Sequence, residues 1–279
     1  MQKKIRRALV VFKPKAYHYF VEGPKPAHPS ITKLRAAHRS HLQTIRLVKK
    51  ILREEGVPFD IETGAIRKNV GRYDLLITVG GDGTFLRTSH VSSRHFMLGI
   101  NSCPGMSVGA LCSVVPWEFR KKIRQIARGK WRIRELNRLQ IRVNGRPLKA
   151  LALNDILFSS HFPAGTSRYV LRIGAREEDQ KSSGMWIATA TGSTAGIYAA
   201  GGKKLPLLSR NIQYFVREPY GRNRYRLNKG ILKPGAKIGL VNMSQNAVLY
   251  VDGMQAIYPI RFGDRMVIGN ARRTLRVLI

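Results

Sequence analysis

The stretch "LLITVGGDGTFLR", Leu75 to Arg87, is the part of the sequence from which the fold is best predicted. Its first half is apolar or β-branched, which is typical of a buried strand, and it runs into the glycine-rich turn Gly80–Gly83. Glycines let backbone N–H groups approach an anion, and a helix that begins behind them adds a favourable dipole. The stretch therefore predicts a phosphate site at the carboxyl end of a parallel strand.

Asp82, in the middle of this turn, needs an explanation because a carboxylate repels phosphate. Its presence is explained if it accepts a proton from an attacking hydroxyl or binds a cation. The alternative is turn chemistry, in which the carboxylate accepts hydrogen bonds from neighbouring backbone N–H groups. The stretch alone leaves both interpretations open.

Length and composition indicate a globular protein with a real core. The chain has 279 residues, 43% of them apolar, which suggests one large domain or two modest ones. No apolar run approaches the roughly 18 residues of a membrane span, so we expect a cytoplasmic protein with no membrane partner. The two cysteines, Cys103 and Cys112, lack metal-ligand spacing, and no metal site built by the protein alone is predicted.

The charge is the unusual feature of the composition. Lys and Arg number 50 against 16 Asp and Glu, giving a formal net charge of +34, and such a surface attracts polyanions. The basic residues are spread along the chain, which favours a solvated basic surface. Because no nucleic-acid-binding module is recognisable, no specific nucleic-acid partner is expected, and the reason for the charge stays open.

The first part of the chain alternates short apolar runs with amphipathic stretches. Strands are expected at 8–12, 57–62, 73–79 and 96–100, and helices at 30–52, 85–94 and 116–129. This alternation predicts an α/β domain with a parallel, doubly wound sheet. Residues 13–29 are predicted to form a loop, with Ser30 as the helix N-cap and Gly56 as the helix stop.

The texture changes after about residue 131, where apolar and polar residues alternate around an Asn144-Gly145 hairpin signal. This pattern predicts a β-rich, antiparallel, sandwich-like second half. We place the boundary at residue 120. An α/β nucleotide-phosphate domain would occupy residues 1–120, and a β-rich domain would occupy residues 121–279.

Three further stretches place polar or small residues where chemistry is expected. Asn154-Asp155 interrupts the apolar run "ALNDILFSS", although a strand interior disfavours both residues. "TGST", Thr191 to Thr194, ends a strand and is followed by small residues from Ala195 to Gly202, which permit close backbone approach to something flat or charged. Asp252-Gly253 is interpreted mainly as a tight hairpin turn.

Taken in order, these stretches resemble the NAD kinase family. The resemblance rests on "GGDGT" (80–84), "LGIN" (98–101), Asn154-Asp155, "TGST" (191–194), "AAGG" (199–202) and Asp252-Gly253. It covers nearly the whole chain, from Val79 to Gly253. Finer detail, in "QKSSG" (180–184), "REP" (217–219) and "GINSCPGMSVGALC" (99–112), is similar to the mitochondrial-type branch.

The resemblance implies an α/β N-terminal domain and a β-rich C-terminal domain. It also implies Mg²⁺-dependent transfer of the γ-phosphate of ATP to the 2′-hydroxyl of the adenosine ribose of NAD, giving NADP. Polyphosphate stays open as a donor, and NADH stays open as an acceptor. Homodimers or homotetramers are common in the family, so we expect one of these assemblies.

The resemblance also implies roles for individual residues. Asp82 would be the general base or the carboxylate that orients the hydroxyl. Gly81, Gly83 and Thr84 would hold phosphates with added charge from Arg87, Asn154 and Asp155 would bind NAD hydroxyls, and Thr191, Ser193, Thr194 and Ala195 would line the dinucleotide. The Mg²⁺ ion would be held mainly through substrate phosphates. Gly196 stands where the family usually has a tyrosine, which makes Tyr198 the candidate for stacking on adenine.

Two other functions agree with parts of the sequence. A lipid kinase of the diacylglycerol or sphingosine type shares the "GGDGT" motif, but the Asn154-Asp155 pair and "TGST" favour the NAD kinase interpretation. A non-enzymatic nucleic-acid-binding protein is a remote alternative, suggested only by the net charge.

Overall fold

The computed structural model describes residues 5–13, 29–221 and 225–279. It divides into two compact units, Met1–Arg134 with Arg276–Ile279 and Glu135–Leu275. Residues 14–28, which make up most of the predicted loop, lie outside the described residues, as does the side chain of Ser30, the predicted N-cap.

The elements follow in chain order. The strands are β1 (Ala8–Phe12), β2 (Phe59–Thr63), β3 (Leu75–Gly80), β4 (Phe96–Asn101), β5 (Ile133–Leu136), β6 (Leu139–Val143), β7 (Arg146–Ala152), β8 (Asp155–Ser160), β9 (Ser167–Ile173), β10 (Arg176–Ser182), β11 (Met185–Ala188), β12 (Ile212–Val216), β13 (Lys229–Leu232), β14 (Lys237–Asn242), β15 (Ala247–Val251), β16 (Ala256–Ile260), β17 (Arg265–Asn270) and β18 (Leu275–Leu278). The α-helices are α1 (Pro29–Glu54), α2 (Asp82–Ser89), α3 (Phe119–Ala127) and α4 (Gly196–Ala199). Short 3₁₀ turns occupy Val70–Arg72, Pro116–Glu118 and Thr191–Thr194.

The first unit is built on a mixed sheet with strand order β2-β1-β3-β4-β18-β5. The pairs β1 with β2, β1 with β3, β3 with β4 and β4 with β18 are parallel. The chain reverses its direction of winding between β1 and β3, which is where open α/β sheets place ligands at the carboxyl ends of their strands. The predicted strand–helix alternation is confirmed.

Helices cover both faces of this sheet. On one face, apolar side chains of α1 and α3 form a single core with alternate residues of β1, β3 and β4. On the other face, α2 brings Phe85 against the sheet, so close that a Cβ atom at Gly99 would lie 2.9 Å from Phe85 Cδ2. The sheet is therefore doubly wound, as the alternating pattern predicted. The stop predicted for α1 is also present, since Gly56 adopts φ +63° just after the helix.

The second unit contains two six-stranded sheets. One has the order β10-β9-β14-β17-β6-β7 and the other has the order β13-β12-β11-β8-β15-β16. Strand pairs in both sheets are antiparallel, and one hydrophobic core takes side chains from both. The predicted β-rich, sandwich-like architecture is confirmed, and Asn144-Gly145 makes the predicted turn between β6 and β7 with φ +50° and +80°.

The predicted boundary at residue 120 falls inside α3, whereas the first unit extends to Arg134. Helix α3 belongs to the first unit because Phe119, Ile123 and Ile126 are buried in its core. The chain also returns to this unit at its end, where β18 pairs with β4. Sequence patterns miss such a return because a four-residue strand contains no information about a partner so far back in the chain.

Several strands of the second unit were not predicted. Strand β10 reads "REEDQKS" and contains no apolar residue, so its sequence shows no alternation of apolar and polar residues. Its two buried residues, Gln180 and Ser182, are themselves polar.

Within the part of the chain that the structure describes, no helix has both the length and the apolarity of a bilayer span.

Strand β18 should contribute measurably to the stability of the first unit. Leu278 is fully buried in its core, so Leu278→Ala should lower the free energy of unfolding by about 2 to 5 kcal/mol through the cavity it leaves. Guanidinium denaturation measures this change. The matched control, Leu208→Ala, removes the same atoms from a side chain that is 61% exposed and should change stability by no more than about 0.5 kcal/mol. Equal effects from the two variants would show that β18 is not part of the core.

Candidate functional site

Asp82 is the first residue of α2 and directly follows the end of β3 and Gly81. Its two carboxylate oxygens accept hydrogen bonds from the backbone N–H groups of Ala110, at 3.1 Å, and Leu111, at 2.8 Å. These donors lie in a distant loop, not in the turn itself, so neighbouring N–H groups do not account for the carboxylate. The structure therefore holds both oxygens in a fixed orientation at the carboxyl end of the parallel strands, while the residue stays half-buried.

The glycines around Asp82 differ in what requires them. A Cβ atom at Gly80 would overlap Thr84 Oγ1, and one at Gly81 would lie 2.8 Å from Ser107 Oγ. At Gly83 nothing lies within 4 Å, and the residue is exposed. Of the predicted phosphate contacts, Gly83 presents open backbone, whereas Thr84 is buried and donates its N–H to the Gly81 carbonyl at 3.0 Å.

Arg87, which was predicted to add charge at the turn, lies in the last turn of α2, at the other end of the helix from Asp82. Its side chain is half-buried and takes part in interactions of its own. A role for Arg87 in binding phosphate therefore stays a prediction.

The loop that carries Ala110 and Leu111 is anchored at its start. Asn101 donates from Nδ2 to the Ser107 carbonyl, at 2.9 Å, and accepts from the Cys103 N–H, at 3.1 Å. Ser102 donates its N–H to the Gly80 carbonyl at 2.9 Å. The "LGIN" motif thus ends in a side chain that shapes the loop over Asp82, a role that its sequence did not indicate.

Helix α1 holds the same point of the loop from the other side. Ser40 Oγ donates to the Ser102 carbonyl at 2.9 Å, and His41 Nδ1 lies 2.9 Å from Ser102 Oγ. Burial keeps the pKa of His41 below its ordinary value, so the ring is neutral at pH 7. Burial and the nearby charge of Asp82 raise the pKa of Cys112 to about 12, so that this thiol stays protonated.

In the second unit, the side chain of Asp252 binds consecutive backbone N–H groups at the polar start of β8. Its carboxylate accepts from the N–H groups of Leu153, Asn154 and Asp155 at 3.0, 2.7 and 3.2 Å. Asp252 and Gly253 have φ +50° and +68°, so the predicted tight turn is present. The buried carboxylate nevertheless does more than the turn interpretation allowed, because it fixes the conformation of residues 153–155.

Asp155 is buried beside this carboxylate. Burial, and secondarily the negative charge of Asp252, raise the pKa of Asp155 from its ordinary value of 3.8 to about 7. Asp252 also acts on Arg138, a buried guanidinium. Burial and the positive charge of Arg273 lower the pKa of Arg138 to about 10, whereas the negative charge of Asp252 opposes this decrease. Asp155 is therefore the group of this set that takes up a proton near neutral pH.

Asn154 adjoins the "TGST" segment. Its carbonyl accepts from the Thr189 N–H at 2.9 Å, and a Cβ atom at Gly192 would overlap the same carbonyl oxygen. Asn154 Oδ1 and Thr191 Oγ1 are both buried and have no hydrogen-bond partner among the described residues. Buried polar atoms usually have partners, so these two oxygens are the best candidates in this segment for ligand contacts.

The hydroxyl of Ser193 is hydrogen-bonded within the protein. This residue is fully buried, and its hydroxyl donates to the Ala190 carbonyl at 2.7 Å and accepts from the Leu205 N–H at 2.9 Å. Both bonds join the hydroxyl to neighbouring backbone, and a contact of Ser193 with a dinucleotide stays a prediction. Thr194 is exposed and Ala195 is half-buried, and their predicted contacts remain predictions.

The small residues after "TGST" lie against aromatic rings of the protein itself. A Cβ atom at Gly196 would lie 3.0 Å from Trp186 Cζ2, and one at Gly201 would lie 3.4 Å from the Phe215 ring. The sequence did not predict a role for Trp186, because the small residues after "TGST" were interpreted as making room for a flat ligand and not for an aromatic ring of the protein. The alternation in "MWIATA" did contain a usable signal, since it places Trp186 on the face opposite to Met185 and Ile187.

The fold and the turn at Asp82 define an α/β protein of the phosphate-binding class joined to a β-sandwich unit. A probable NADH kinase of Oryza sativa subsp. japonica is 32% identical over 266 residues, covering 86% of this chain and 82% of the relative. An NADH kinase of Arabidopsis thaliana is 29% identical over 304 residues, covering 99% and 96%. The chain belongs to the NAD kinase family.

Solved structures share the fold. An NAD kinase from Archaeoglobus fulgidus in complex with ATP matches with a TM-score of 0.72 at 20% identity, over 97% of this chain and 92% of that chain. Yeast NADH kinase complexed with NADH matches with a TM-score of 0.73 at 19% identity, over 99% and 84%. No protein-family model matches the chain. The family resemblance and the fold class inferred from the sequence are confirmed.

The raised pKa of Asp155 should appear in the pH dependence of stability. The folded protein holds this proton up to about pH 7, while the unfolded chain releases it near pH 3.8. The stabilisation of the folded state by this proton is therefore complete below pH 3.8 and is lost as the pH rises to about 7. Asp155→Asn removes the dependence. Urea denaturation at about pH 5 and about pH 8 should show the variant gaining on the wild type at the higher pH, by on the order of 2 kcal/mol. A difference that is independent of pH would contradict the raised pKa.

Proposed function

We propose that this chain transfers the γ-phosphate of ATP to the 2′-hydroxyl of the adenosine ribose of NAD or NADH, giving NADP or NADPH and ADP. Membership of the NAD kinase family supports the reaction, and two of the relatives are named as NADH kinases. The observation that carries the proposal is Asp82, a carboxylate held in fixed orientation at a glycine-rich turn behind a parallel strand.

Asp82 is the proposed proton acceptor. Each of its oxygens accepts one backbone N–H and keeps further acceptor capacity for a hydroxyl. As the ribose oxygen forms its bond to the γ-phosphorus, the hydroxyl proton passes to Asp82 and the bond to the β-phosphate oxygen breaks, releasing ADP. The N–H donors of Ala110 and Leu111 keep the carboxylate oriented, which lowers the cost of positioning it for reaction.

The contributions of the two units are assigned from their polar groups. In the first unit, the exposed backbone at Gly83 and the start of α2 are the proposed phosphate contacts. In the second unit, Asn154, Asp155 and Thr191 are proposed to hydrogen-bond the hydroxyl and amide groups of NAD. The protonated Asp155 carboxyl can donate a hydrogen bond, and burial raises its pKa to about 7, toward neutral pH.

A divalent cation such as Mg²⁺ fits this site only as a partner of the nucleotide. Among the described residues, no group of three or more His, Cys, Asp or Glu side chains could hold a metal ion. We therefore propose that the cation binds mainly through substrate phosphates, where it neutralises their charge, with Asp82 as the protein carboxylate at the turn. The cytoplasmic location and the homodimeric or homotetrameric state remain predictions.

Substrates are distinguished by one assay of purified protein. NAD and NADH are each supplied with ATP and, separately, with polyphosphate, and NADP or NADPH is detected with an NADP-specific dehydrogenase. We expect product with ATP, and the four combinations establish acceptor and donor preference. Phosphorylation of diacylglycerol in place of NAD would favour the lipid kinase alternative. Tight, salt-dependent DNA binding with no NADP formed would favour the nucleic-acid alternative.

Asp82→Asn should lower kcat by about 10²- to 10⁴-fold, because the amide keeps the shape of the side chain and loses the proton acceptor. The same substitution at Asp179, an exposed residue of β10, is the matched control and should leave kcat unchanged. Circular dichroism and thermal melting confirm that both variants fold. A folded Asp82→Asn enzyme with wild-type kcat would remove Asp82 from the mechanism.

A further inference from the structure

One face of the β13-β12-β11-β8-β15-β16 sheet carries a row of four large side chains outside the core. We call this row, which consists of Phe215, Trp186, Leu157 and Tyr250, the aromatic row. In the strand registers, Phe215 lies opposite Trp186, Trp186 opposite Leu157, and Leu157 opposite Tyr250. Residues flanking them in each strand are buried in the core of the second unit, so these four side chains point to the other face. All four are half-buried, which leaves part of each side chain accessible.

The same face carries the polar groups described above. Ala188 is the register partner of Asp155 and follows Trp186 by two positions on β11, so Trp186 and Asp155 share a face as diagonal neighbours. Such neighbours lie about 7 to 8 Å apart. Trp186 and the buried Asp155 are therefore neighbours on one face of the sheet.

Glycines in the segment that follows "TGST" determine how Trp186 is exposed. The Cβ atom of any larger residue at Gly196 would lie 3.0 Å from Trp186 Cζ2 and 3.1 Å from Cη2, so the two would have to move apart by a few tenths of an ångström. Gly201 lies over Phe215 with φ +104°, a conformation that side chains strongly disfavour. The segment thus packs against Trp186 and Phe215, which both remain partly exposed.

This combination matches the chemistry of a nucleoside, which presents a flat heteroaromatic ring beside ribose hydroxyls. The aromatic row alone would suit a contact with a second copy of the chain equally well. A buried carboxyl on the same face favours a small polar ligand. Large aromatic faces stack on bases of any identity, so the ring explains affinity for a base without fixing which base.

We propose that Trp186 is the side chain on which one heterocyclic base of the dinucleotide stacks. The proposal rests on the proposed function, and it assigns this role to Trp186 in place of Tyr198. Tyr198 is 56% exposed on the short helix α4, whereas Trp186 is held by the sheet and by Gly196. A ring fixed before binding loses less conformational entropy when the base stacks on it.

The test compares four variants, Trp186→Ala, Trp186→Phe, Tyr198→Ala and Phe162→Ala, by steady-state kinetics and by calorimetric titration with NAD in the absence of ATP. Trp186→Ala should raise both KM and Kd for NAD by about tenfold to hundredfold, with KM for ATP unchanged. Trp186→Phe keeps a stacking ring and should stay within a few-fold of wild type. Phe162→Ala, which removes an aromatic ring that is 58% exposed, is the matched control and should change neither constant.

The outcomes separate this inference from the proposed function. If the wild type makes NADP and folded Trp186→Ala binds NAD as the wild type does, the stacking role is wrong while the kinase stands. A loss of NAD affinity in Tyr198→Ala, but not in Trp186→Ala, would overturn the assignment in the same way. Sedimentation velocity adds a third outcome: if Trp186→Ala dissociates an oligomer and leaves Kd for NAD unchanged, the face is a contact between copies and the proposal falls. A wild type that makes no NADP refutes the function itself.

Discussion

The carboxylate of Asp252 is the constraint on which the second unit's polar site depends. It accepts the successive N–H groups of residues 153–155, where the chain passes from β7 to β8, and so holds the backbone there. The Asn154 carbonyl lies against Gly192 of the "TGST" segment, where a side chain would not fit. The same negative charge helps to keep a proton on Asp155.

The first unit uses an aspartate in a comparable way. Asp82 accepts two N–H groups from a loop that is in turn tied to β3 and α1 through Ser102. In both units an aspartate therefore holds a distant segment of backbone by N–H groups, which interact with a charged acceptor more strongly than with a neutral one. For Asp82 the bonds that orient the carboxylate come from outside the turn, so neighbouring N–H groups do not account for it, and its role in the reaction stays a prediction.

Local patterns predicted the elements that bury continuous apolar runs or alternate regularly, such as β1, β3 and the Asn144-Gly145 hairpin. They did not predict β18 or β10, because the first depends on a distant parallel partner and the second is a polar strand at the edge of its sheet. Among site residues, the sequence singled out the stretches around Asp82 and Asn154, and their roles in binding stay predictions. The internal bonds of Ser193 and the packing of Gly196 against Trp186 were not predictable, since both depend on segments that only the tertiary fold brings together.

The central claim is that Asp252 holds the backbone at Asp155 and, together with burial, raises the proton affinity of the Asp155 carboxyl. The most direct measurement is the titration of the Asp155 carboxyl by ¹³C NMR in the wild type and in Asp252→Asn. We predict a wild-type midpoint at about 7 and a lower midpoint in the variant, because one of the two causes of the raised pKa is removed. A wild-type midpoint near 3.8, or a midpoint that does not move in the variant, would contradict the account.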